Sequence, residues 1–595
     1  MKRRISTSDI WADFCAALTS YDGGMTVEQL LNDGWQFCKL PLGSTLEDVS
    51  NAALQAVDLP HDFLIENEND LYETTDAWYL RTLDVPESWC ASCVLVRFDG
   101  VYMDCDVLLN GHVVCTHHYG YTAFDVDLTS RLLVGRNTLA VHIRHQSPNS
   151  RWYSGAGIYR DVTLHVLPKR HIPLDGVYVT TTHELESWTM TIDTELCGVK
   201  DNGVLTHVLL DGDVPVCDVT VEAAGDHANA VIQVLSPKLW SPDAPNVYTL
   251  QTMLGSQVIR QNVGFRDLTF TTDRGLLVNG APVKLHGVCL HHDLGCLGSA
   301  FHEKAMRRQL RAMRQMGVNA LRTSHNPPAK QVMDLCDELG IFVVDEAFDM
   351  PSDVAAWVRR DRNHPSLLMW SIGNEILDTH LDESAQQVTC DLCENVRLHD
   401  PRGNAVITIG SNFMPWEGAR KCADLVDAQG YNYGEKYYEA HHAEHPDWVI
   451  YGSETASALS SRGIYHFPMA ASILSDEDLQ CSALGNSTSS WGTKDMRKCI
   501  VEDLNTPYSL GQFLWSGIDY IGEPTPYHTR SCYFGMMDTA VFPKDYWYLF
   551  KSLWTNAPMV HIGVYWDWNP GQMIDVPVMT NGVKAELLLN GRSLG

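Results

Sequence analysis

The stretch Leu367–Glu375 reads LLMWSIGNE, an uncharged and mostly apolar run that ends in glycine, asparagine and glutamate. Such a run is typical of a strand that is buried on both faces of a parallel sheet. A second stretch, Trp448–Thr455, reads WVIYGSET and has the same design. If both are strands of one (β/α)8 barrel, Glu375 and Glu454 lie at its carboxyl end, where these barrels carry catalytic side chains.

Strand-like and helix-like segments alternate from about Thr272 onward, which predicts a parallel sheet. Apolar stripes predict helices over Glu303–Met316 and Ala329–Leu339, and a glycine follows each of them, as is common at helix ends. We therefore predict a TIM barrel over residues 272–557. Its predicted strands are Val283–Val288, Val318–Thr323, Ile341–Ala347, Leu367–Ile372, Ala405–Ile409, Leu425–Tyr431, Trp448–Tyr451 and Gly511–Ser516.

The residues before the barrel show short alternating strands. Two apolar arms around Asn110-Gly111 predict a type I′ hairpin. We predict an all-β sandwich over residues 1–168 and an immunoglobulin-like sandwich over residues 169–271. The loop Asn149–Gly157 is rich in aromatic residues and glycine. It either lines a sugar site or forms a turn of the sandwich, and we favour the turn.

The chain after Trp554 is again β-like. Val583–Arg592 has the pattern of the first half of a hairpin, with Asn590-Gly591 at its turn. The sequence ends at Gly595, and we expect no return strand to form. We therefore predict the start of an incomplete C-terminal β-sandwich over residues 558–595.

Composition narrows the range of partners. A chain of 595 residues needs several domains, and a net charge of −31 argues against nucleic acid or an anionic membrane surface as partner. The sequence contains no run of 18 apolar residues, so we predict no membrane-spanning helix. Met1–Arg4 is basic, but no apolar segment follows it as in a signal peptide. The 17 cysteines lack metal or disulfide spacing, so we expect reduced thiols and a cytoplasmic protein. We also expect that the protein can form a homo-oligomer.

Two carboxylates at one end of a barrel can hydrolyse a glycosidic bond. Carboxyl groups roughly 5–5.5 Å apart lead to net retention, whereas a separation of roughly 6.5–9.5 Å admits a water molecule and leads to inversion. The sequence does not supply this distance. A single glutamate at a strand end more often caps a helix or pairs with an arginine, but two such residues on one barrel favour catalysis.

Several long motifs resemble glycoside hydrolase family 2. Trp370–Glu375 is similar to the acid/base signature of that family, and Tyr451–Glu454 is similar to its nucleophile signature. The resemblance runs from about Leu30 to the end, in the order jelly-roll sandwich, immunoglobulin-like sandwich, barrel and further sandwich. Other matching stretches are Val288–Asp293, Arg322–Pro328, Asp345–Asp349 and Arg362–Ser366.

The resemblance implies a role for each site residue. Glu375 would be the general acid and then the base, and Glu454 would be the nucleophile that forms a glycosyl-enzyme ester. Tyr433 would donate to the nucleophile, with Tyr431 as the competing assignment. The residues expected to bind the sugar are Asn374 at the 2-hydroxyl, Asp293 and His325 at other hydroxyls, Trp515 by stacking and Asp538 at galactose hydroxyls, although Asp538 also fits a turn.

Substrate choice is expected to depend on the residues after Trp515. Trp515–Tyr527, with Tyr533–Asp538 and Phe542–Asp545, is similar to the β-galactosidase branch. The Asn-x-Lys motif by which β-glucuronidases of the family hold a sugar carboxylate does not occur between Glu454 and Trp554. We therefore predict a retaining exo-acting β-galactosidase. The alternatives are a β-glucuronidase or β-galacturonidase, and a carbohydrate-binding protein with impaired catalysis.

Two departures from the family concern the residues after Asp349. The segment between Asp349 and Arg362 is short, which we expect to open one wall of the site. Metal-dependent relatives carry an acidic residue and a histidine at the start of this segment, where this chain has Met350–Ser352. We therefore predict no metal and no cofactor.

Overall fold

The computed structural model describes residues 26–67, 69–200, 203–348, 353–380, 383–475, 480–488, 496–565 and 567–595. Within them the chain forms two β-sandwiches, an eight-stranded parallel barrel and two small β-pairs after the barrel. In these described segments, no helix is both long and apolar enough to cross a membrane.

The first sandwich packs a four-stranded sheet, in the order β1-β10-β5-β8, with a six-stranded sheet, in the order β3-β2-β4-β9-β6-β7. The predicted hairpin is present, since Asn110 and Gly111 have φ of 51° and 83° as a type I′ turn requires. The strands are β1 (Val27–Leu30), β2 (Trp35–Leu40), β3 (Gln55–Val57), β4 (Thr75–Val85), β5 (Cys93–Phe98), β6 (Cys105–Leu109), β7 (His112–His117), β8 (Phe124–Asp127), β9 (Gly135–His145) and β10 (Val162–Leu167), with helix α1 (Leu46–Asn51).

The second sandwich is immunoglobulin-like and pairs a three-stranded sheet with a four-stranded one. Buried and exposed residues alternate along β12 and β15, because each strand has one face on the core. The strands are β11 (Val177–Glu184), β12 (Ser187–Glu195), β13 (Gly203–Asp211), β14 (Val214–Ala223), β15 (His227–Leu235), β16 (Trp240–Ser241), β17 (Ala244–Pro245), β18 (Tyr248–Leu254) and β19 (Gln257–Val263).

A small sheet joins this sandwich to the barrel. Its strands β20 (Leu268–Thr271), β21 (Gly275–Val278) and β22 (Ala281–Val283) are antiparallel neighbours in chain order. The sheet spans residues 271 and 272, where the sequence pattern changes from β to β/α. The first barrel strand therefore begins at Leu285, two residues after the predicted start at Val283.

The barrel contains all eight predicted strands and closes in chain order. Its strands are buried along their length, for example β26 at all eight positions, because helices cover the outside and side chains fill the inside. The barrel strands are β23 (Leu285–Leu290), β24 (Ala320–Thr323), β25 (Phe342–Glu346), β26 (Leu367–Asn374), β27 (Val406–Ser411), β28 (Ala428–Asn432), β29 (Ile450–Ala456) and β32 (Gly511–Trp515).

Helices and short strands fill the connections of the barrel. The predicted helix Glu303–Met316 has the same bounds in the structure and ends at Gly317 with φ of 103°. The helices are α2 (Glu303–Met316), α3 (Lys330–Leu339), α4 (Val354–Asp361), α5 (Ser384–His399), α6 (Glu417–Ala423), α7 (Tyr438–Glu444), α8 (Arg497–Asn505) and α9 (Asp545–Trp554), and the short strands are β30 (Ile473–Leu474), β31 (Ser487–Thr488), β33 (Tyr520–Ile521) and β34 (Ser531–Cys532).

The residues after the barrel form two antiparallel pairs, β35 (Val560–Ile562) with β36 (Val578–Thr580) and β37 (Leu588–Leu589) with β38 (Arg592–Ser593). The prediction that no return strand forms was wrong. Asn590 and Gly591 both have positive φ, and this tight turn lets two residues pair back at once.

Candidate active site

The two glutamates lie where the strands of the barrel end. Glu375 directly follows β26, and Glu454 lies in β29, two residues before the end of that strand. The strand register shifts between Ser371 and Asn374, and again between Gly452 and Thr455. Such bulges change the direction of the side chains that follow them, and both glutamates lie at or directly after one.

Glu454 is 4% exposed and is surrounded by donors. Arg322 donates from Nη1 to its Oε1 at 2.9 Å, Tyr433 donates to its Oε2 at 2.9 Å, and His325 Nε2 lies 4.0 Å from Oε1. Burial raises the pKa of Glu454, the charge of Glu375 raises it further, and Arg322 opposes both. The two carboxyl groups are therefore close enough to interact electrostatically.

Arg322 connects Glu454 to the strands that carry Glu346 and Asn374. It is fully buried and pairs with Glu346 at 2.6 Å, and its Nη2 also donates to Asn374 Oδ1 at 2.8 Å. Burial alone would raise the pKa of Glu346, but Arg322 and His325 bring it below its ordinary value. Removing one partner of such a buried pair leaves an uncompensated charge, so the network holds Glu454 in one place.

The sequence interpretation gave Arg322 and Glu346 no role. One signal was available, because an arginine and a glutamate in two fully buried strands need partners inside the barrel. Asn432 was also missed. Its Nδ2 donates to Glu375 Oε1 at 3.0 Å and to Asn374 Oδ1 at 2.9 Å.

Tyr433 is the tyrosine that contacts Glu454. Burial and the charge of Glu454 raise its pKa well above the ordinary value, so its hydroxyl keeps the proton that it donates. Ser457 in turn donates to the Tyr433 hydroxyl at 2.6 Å. The competing residue, Tyr431, is bonded to His441 instead, which favours Tyr433 as the residue facing the nucleophile.

Glu375 has a more open environment than Glu454. It is partly exposed, and Asn432 is its one side-chain hydrogen-bond donor among the described residues. Asn374, beside it, accepts through Oδ1 from Arg322 and Asn432. No described residue accepts a hydrogen bond from its side-chain Nδ2, so this nitrogen is available to donate to a hydroxyl of a ligand.

Aromatic rings form the floor of the site. Trp515 stacks on His325 with centroids 5.2 Å apart, and its Nε1 donates to Tyr520 at 3.1 Å. His291, which was not predicted, lies 5.3 Å from Trp515 and has no hydrogen-bond partner on either ring nitrogen among the described residues. Burial lowers the pKa of His291 well below its ordinary value, so the ring is neutral and can both donate and accept.

Two predicted sugar-binding residues, Asp293 and Asp538, have partners other than the residues described above. Asp293 is buried and accepts from the Gly295 amide at 3.1 Å, and burial raises its pKa to about 7. Asp538 forms an ion pair with Arg462 at 2.7 Å and accepts from the amides of Ala540 and Phe542. Asp538 is thus the residue that closes a turn, and no contact with Glu375 or Glu454 is recorded for either aspartate within the described residues.

The loop Asn149–Gly157 lies against the barrel and lines the site, so the preferred interpretation as a mere turn was wrong. The Trp152 ring lies 5.3 Å from the His325 ring, and the Tyr153 amide donates to Ile521. A side chain at Gly155, which has φ of 65°, would come within 2.0 Å of Ser299. Glycine therefore lets the first sandwich approach the barrel this closely.

Within the described residues, one group of three side chains could hold a metal ion. Its members, Asp334, Asp337 and His364, have their ligand atoms within 4.8 Å of one another. Asp337 already accepts from His364 at 2.7 Å and from the Ser366 amide at 2.9 Å, so the group is an internal hydrogen-bond cluster. Met350–Ser352, the segment compared with metal-dependent relatives, lies outside the described residues.

Comparisons with known proteins agree with this geometry. Three family descriptions match the chain: "Glycosyl hydrolases family 2, sugar binding domain" over residues 25–168, "Glycosyl hydrolases family 2" over 171–266, and "Glycosyl hydrolases family 2, TIM barrel domain" over 271–352 and 349–402. A β-galactosidase of Bacteroides ovatus is 34% identical over 633 aligned residues, which cover 91% of this chain and 73% of that protein.

Two solved structures are similar over most of the chain. A β-glycosidase from Bacteroides vulgatus has a TM-score of 0.83 and 29% identity, covering 96% of this chain and 80% of that one. Bacteroides uniformis β-glucuronidase 2, covalently bound to cyclophellitol-6-carboxylate aziridine, has a TM-score of 0.80 and 25% identity, covering 96% of this chain and 76% of that one.

Proposed function

Because this chain belongs to glycoside hydrolase family 2, we propose that it is a retaining, exo-acting β-galactosidase that releases terminal β-D-galactose. The observation that carries the proposal is the pair Glu375 and Glu454, which lie at one end of the barrel and are linked by the hydrogen bonds of Asn432, Asn374 and Arg322. They have unequal surroundings, and double displacement requires two carboxyl groups with different roles.

In the proposed first step, Glu454 attacks the anomeric carbon and Glu375 protonates the glycosidic oxygen. Arg322 and Tyr433 keep Glu454 ionised and oriented through hydrogen bonds to its two oxygens. As the ester forms, Glu454 loses its charge, and Glu375 then gives up its proton more easily. In the second step Glu375 removes a proton from water, which attacks the ester and releases the sugar with net retention.

Asn374 is proposed to bind the sugar 2-hydroxyl. Arg322 and Asn432 both donate to its Oδ1, so the side-chain amide is fixed in position and its nitrogen is proposed to donate to the sugar. A fixed donor of this kind stabilises charge that develops in the transition state without reorganising. Trp515 and His325 are proposed to lie under the sugar ring, where the apolar face of galactose can stack.

Galactoside specificity is supported by two observations. The Bacteroides ovatus relative is named a β-galactosidase, and this chain has no Asn-x-Lys motif between Glu454 and Trp554. The second candidate is a β-glucuronidase or β-galacturonidase. It is favoured by the similarity to the Bacteroides uniformis β-glucuronidase and by a cation, Arg151, near the catalytic glutamates.

A panel of aryl β-glycosides tests the proposal: galactoside, glucuronide, galacturonide, glucoside and mannoside. Initial rates are measured for the parent enzyme, for Glu454→Gln and for Glu417→Gln, a control with the same chemical change at an exposed surface position. The anomer of the first product is read by NMR. We expect the galactoside to react faster than the glucuronide, the glucoside and the mannoside, the β-anomer to form first, and Glu454→Gln alone to lose at least about 10⁴-fold in kcat.

Three outcomes would overturn parts of this proposal. Turnover of an acidic sugar without turnover of the galactoside would keep the mechanism and replace the specificity. An α-anomer as first product would exclude retention. Sugar binding by the folded parent enzyme, with no turnover of any glycoside, would favour the carbohydrate-binding alternative.

A further inference from the structure

Arg151 lies at the mouth of the site with its backbone fixed and its side chain largely free. Its carbonyl accepts from the Glu523 amide at 2.8 Å, and the next residue, Trp152, packs against His325. The side chain is 65% exposed, and Nη1 lies 3.7 Å from Glu523 Oε1, beyond hydrogen-bond distance. Within the described residues, no hydrogen bond to the guanidinium group is recorded.

The partner carboxylate belongs to a chain of hydrogen bonds that starts at the site floor. Trp515 donates to Tyr520, and Tyr520 donates to Glu523 Oε2 at 2.6 Å. Glu523 is therefore held at the edge of the floor, with its other oxygen toward Arg151. Partial burial lowers the pKa of Arg151, but the negative charges of Glu523, Glu375 and Glu454 outweigh it and raise that pKa above its ordinary value.

Arg322 and Arg151 differ in how many of their N–H groups already donate hydrogen bonds within the protein. Arg322 is fully buried and donates to Glu346, Glu454 and Asn374, which leaves it little capacity to bind a ligand. Arg151 has five N–H donors in a planar arrangement that matches a carboxylate or sulfate group. Without it, the carboxylates of Glu375, Glu454 and Glu523 would repel any negatively charged substrate at the mouth.

We propose that Arg151 binds a carboxylate or sulfate group of the substrate, so that the preferred substrate is an acidic β-galactoside. The inference rests on the proposed galactosidase function and adds a substrate class to it. The exposed guanidinium lies beside Glu523 at the mouth of the site, so the negative group of the substrate is expected there.

The test compares kcat and KM on four nitrophenyl or carboxyphenyl substrates. One is a neutral β-galactoside, and the others carry a 6-sulfate, a C6 carboxylate (the galacturonide) or a carboxylate on the aryl leaving group. These three arms distinguish the possible positions of the negative group. The variants are Arg151→Gln, Arg151→Lys, which keeps the charge, and Arg131→Gln, which makes the same charge change at an exposed position of the same sandwich.

We expect Arg151→Gln to raise KM at least about tenfold for one or more of the charged substrates and less than about twofold for the neutral one. Arg151→Lys should lose less because it retains the charge but not the planar donor pair, and Arg131→Gln should behave as the parent. Equal losses on charged and neutral substrates would overturn the inference, as would a parent enzyme that hydrolyses none of the charged substrates.

Failure of the proposed function would give a different result. In that case the parent enzyme would turn over no galacto-configured substrate at all, while the glucuronide of the earlier panel would react. Thermal midpoints of the three variants within about a degree or two of the parent would show that the loop Asn149–Gly157 keeps its place.

Discussion

The two glutamates of the site have opposite surroundings. Glu454 is 4% exposed and accepts hydrogen bonds from Arg322 and Tyr433. Glu375 is partly exposed, and among the described residues it accepts one side-chain hydrogen bond, from Asn432. A nucleophile needs a fixed position and a stable charge, and buried donors supply both. A group that exchanges its proton with leaving group and water needs access instead. The difference between the surroundings therefore matches the proposed division of roles.

The backbone shows the same concentration of special features near the site. Glu375, Tyr433, Ala456 and Ser457 all have φ between 47° and 73°, a region that residues with a side chain rarely adopt. Each such residue costs on the order of 1–3 kcal/mol and persists only where its surroundings enforce it. Here the buried network around Arg322 supplies that constraint.

The largest expected effect on this comparison comes from Glu375→Gln. Loss of the general acid should lower kcat/KM by about 10²- to 10⁴-fold on a substrate with a poor leaving group. The loss should be much smaller with a leaving group that departs without protonation. Rates on a methyl and a dinitrophenyl β-galactoside, measured in parallel, check this dependence.

Added azide sharpens the same comparison, because it attacks the glycosyl-enzyme without needing a general base. Azide should accelerate turnover of the dinitrophenyl substrate by Glu375→Gln and form a β-galactosyl azide. Equal losses on both substrates, with no effect of azide, would contradict the acid/base assignment of Glu375.

Tyr433→Phe should have the next largest effect. The change removes one of the donors that favour the ionised form of Glu454, so the pKa of Glu454 should rise. Since the nucleophile must be ionised, the acid limb of the kcat/KM profile should move to higher pH, and kcat should fall about 10- to 100-fold. Rates across the acid range, compared with the parent enzyme, give both quantities.

Tyr431→Phe is the matched control for this variant. It removes a buried hydroxyl that is bonded to His441 rather than to a glutamate. We expect it to lower the free energy of unfolding by about 1 kcal/mol and to leave the acid limb in place. A shift of that limb in Tyr431→Phe, but not in Tyr433→Phe, would reverse the assignment of the two tyrosines.

Local patterns explain what could be predicted from the sequence. The helix Glu303–Met316, the Asn110-Gly111 hairpin and the eight barrel strands depend on periodicity and turn residues that lie within a few positions of one another. The strand ends also placed Glu375 and Glu454 at the same end of the barrel, because all strands of a parallel barrel end on one side.

Contacts between distant segments explain what could not be predicted. Arg322, Glu346 and Asn374 meet only because three strands converge, and no spacing in the sequence records that convergence. Trp152 belongs to another domain, so its position beside His325 depends on how the first sandwich packs on the barrel. Asp538 fits both a turn and a sugar contact by sequence, and its partner Arg462 is 76 residues away along the chain.

Asp293 extends the comparison to a third carboxyl group and gives the smallest expected effect. Like Glu454 it is buried, but no arginine pairs with it among the described residues, and burial raises its pKa to about 7. The ordinary value of an unfolded aspartate is about 3.9. The folded protein therefore binds this proton more tightly, and the stability that the proton contributes is complete below about pH 4 and is lost as the pH rises through about 7.

Asp293→Asn should remove this dependence because asparagine does not ionise. Relative to the parent, the variant should gain stability between about pH 4 and pH 7, at most about 1.4 kcal/mol per pH unit, as measured by thermal midpoints over that range.

Asp519→Asn is the contrasting case. Burial raises the pKa of Asp519 to about 6, but its carboxylate is bonded to buried Lys544, so its loss leaves an unpaired cation and should destabilise the fold above about pH 6, where the parent carboxylate is ionised. An identical pH profile for Asp293→Asn and the parent would mean that the pKa of Asp293 is the same in the folded and the unfolded chain, which would contradict this prediction.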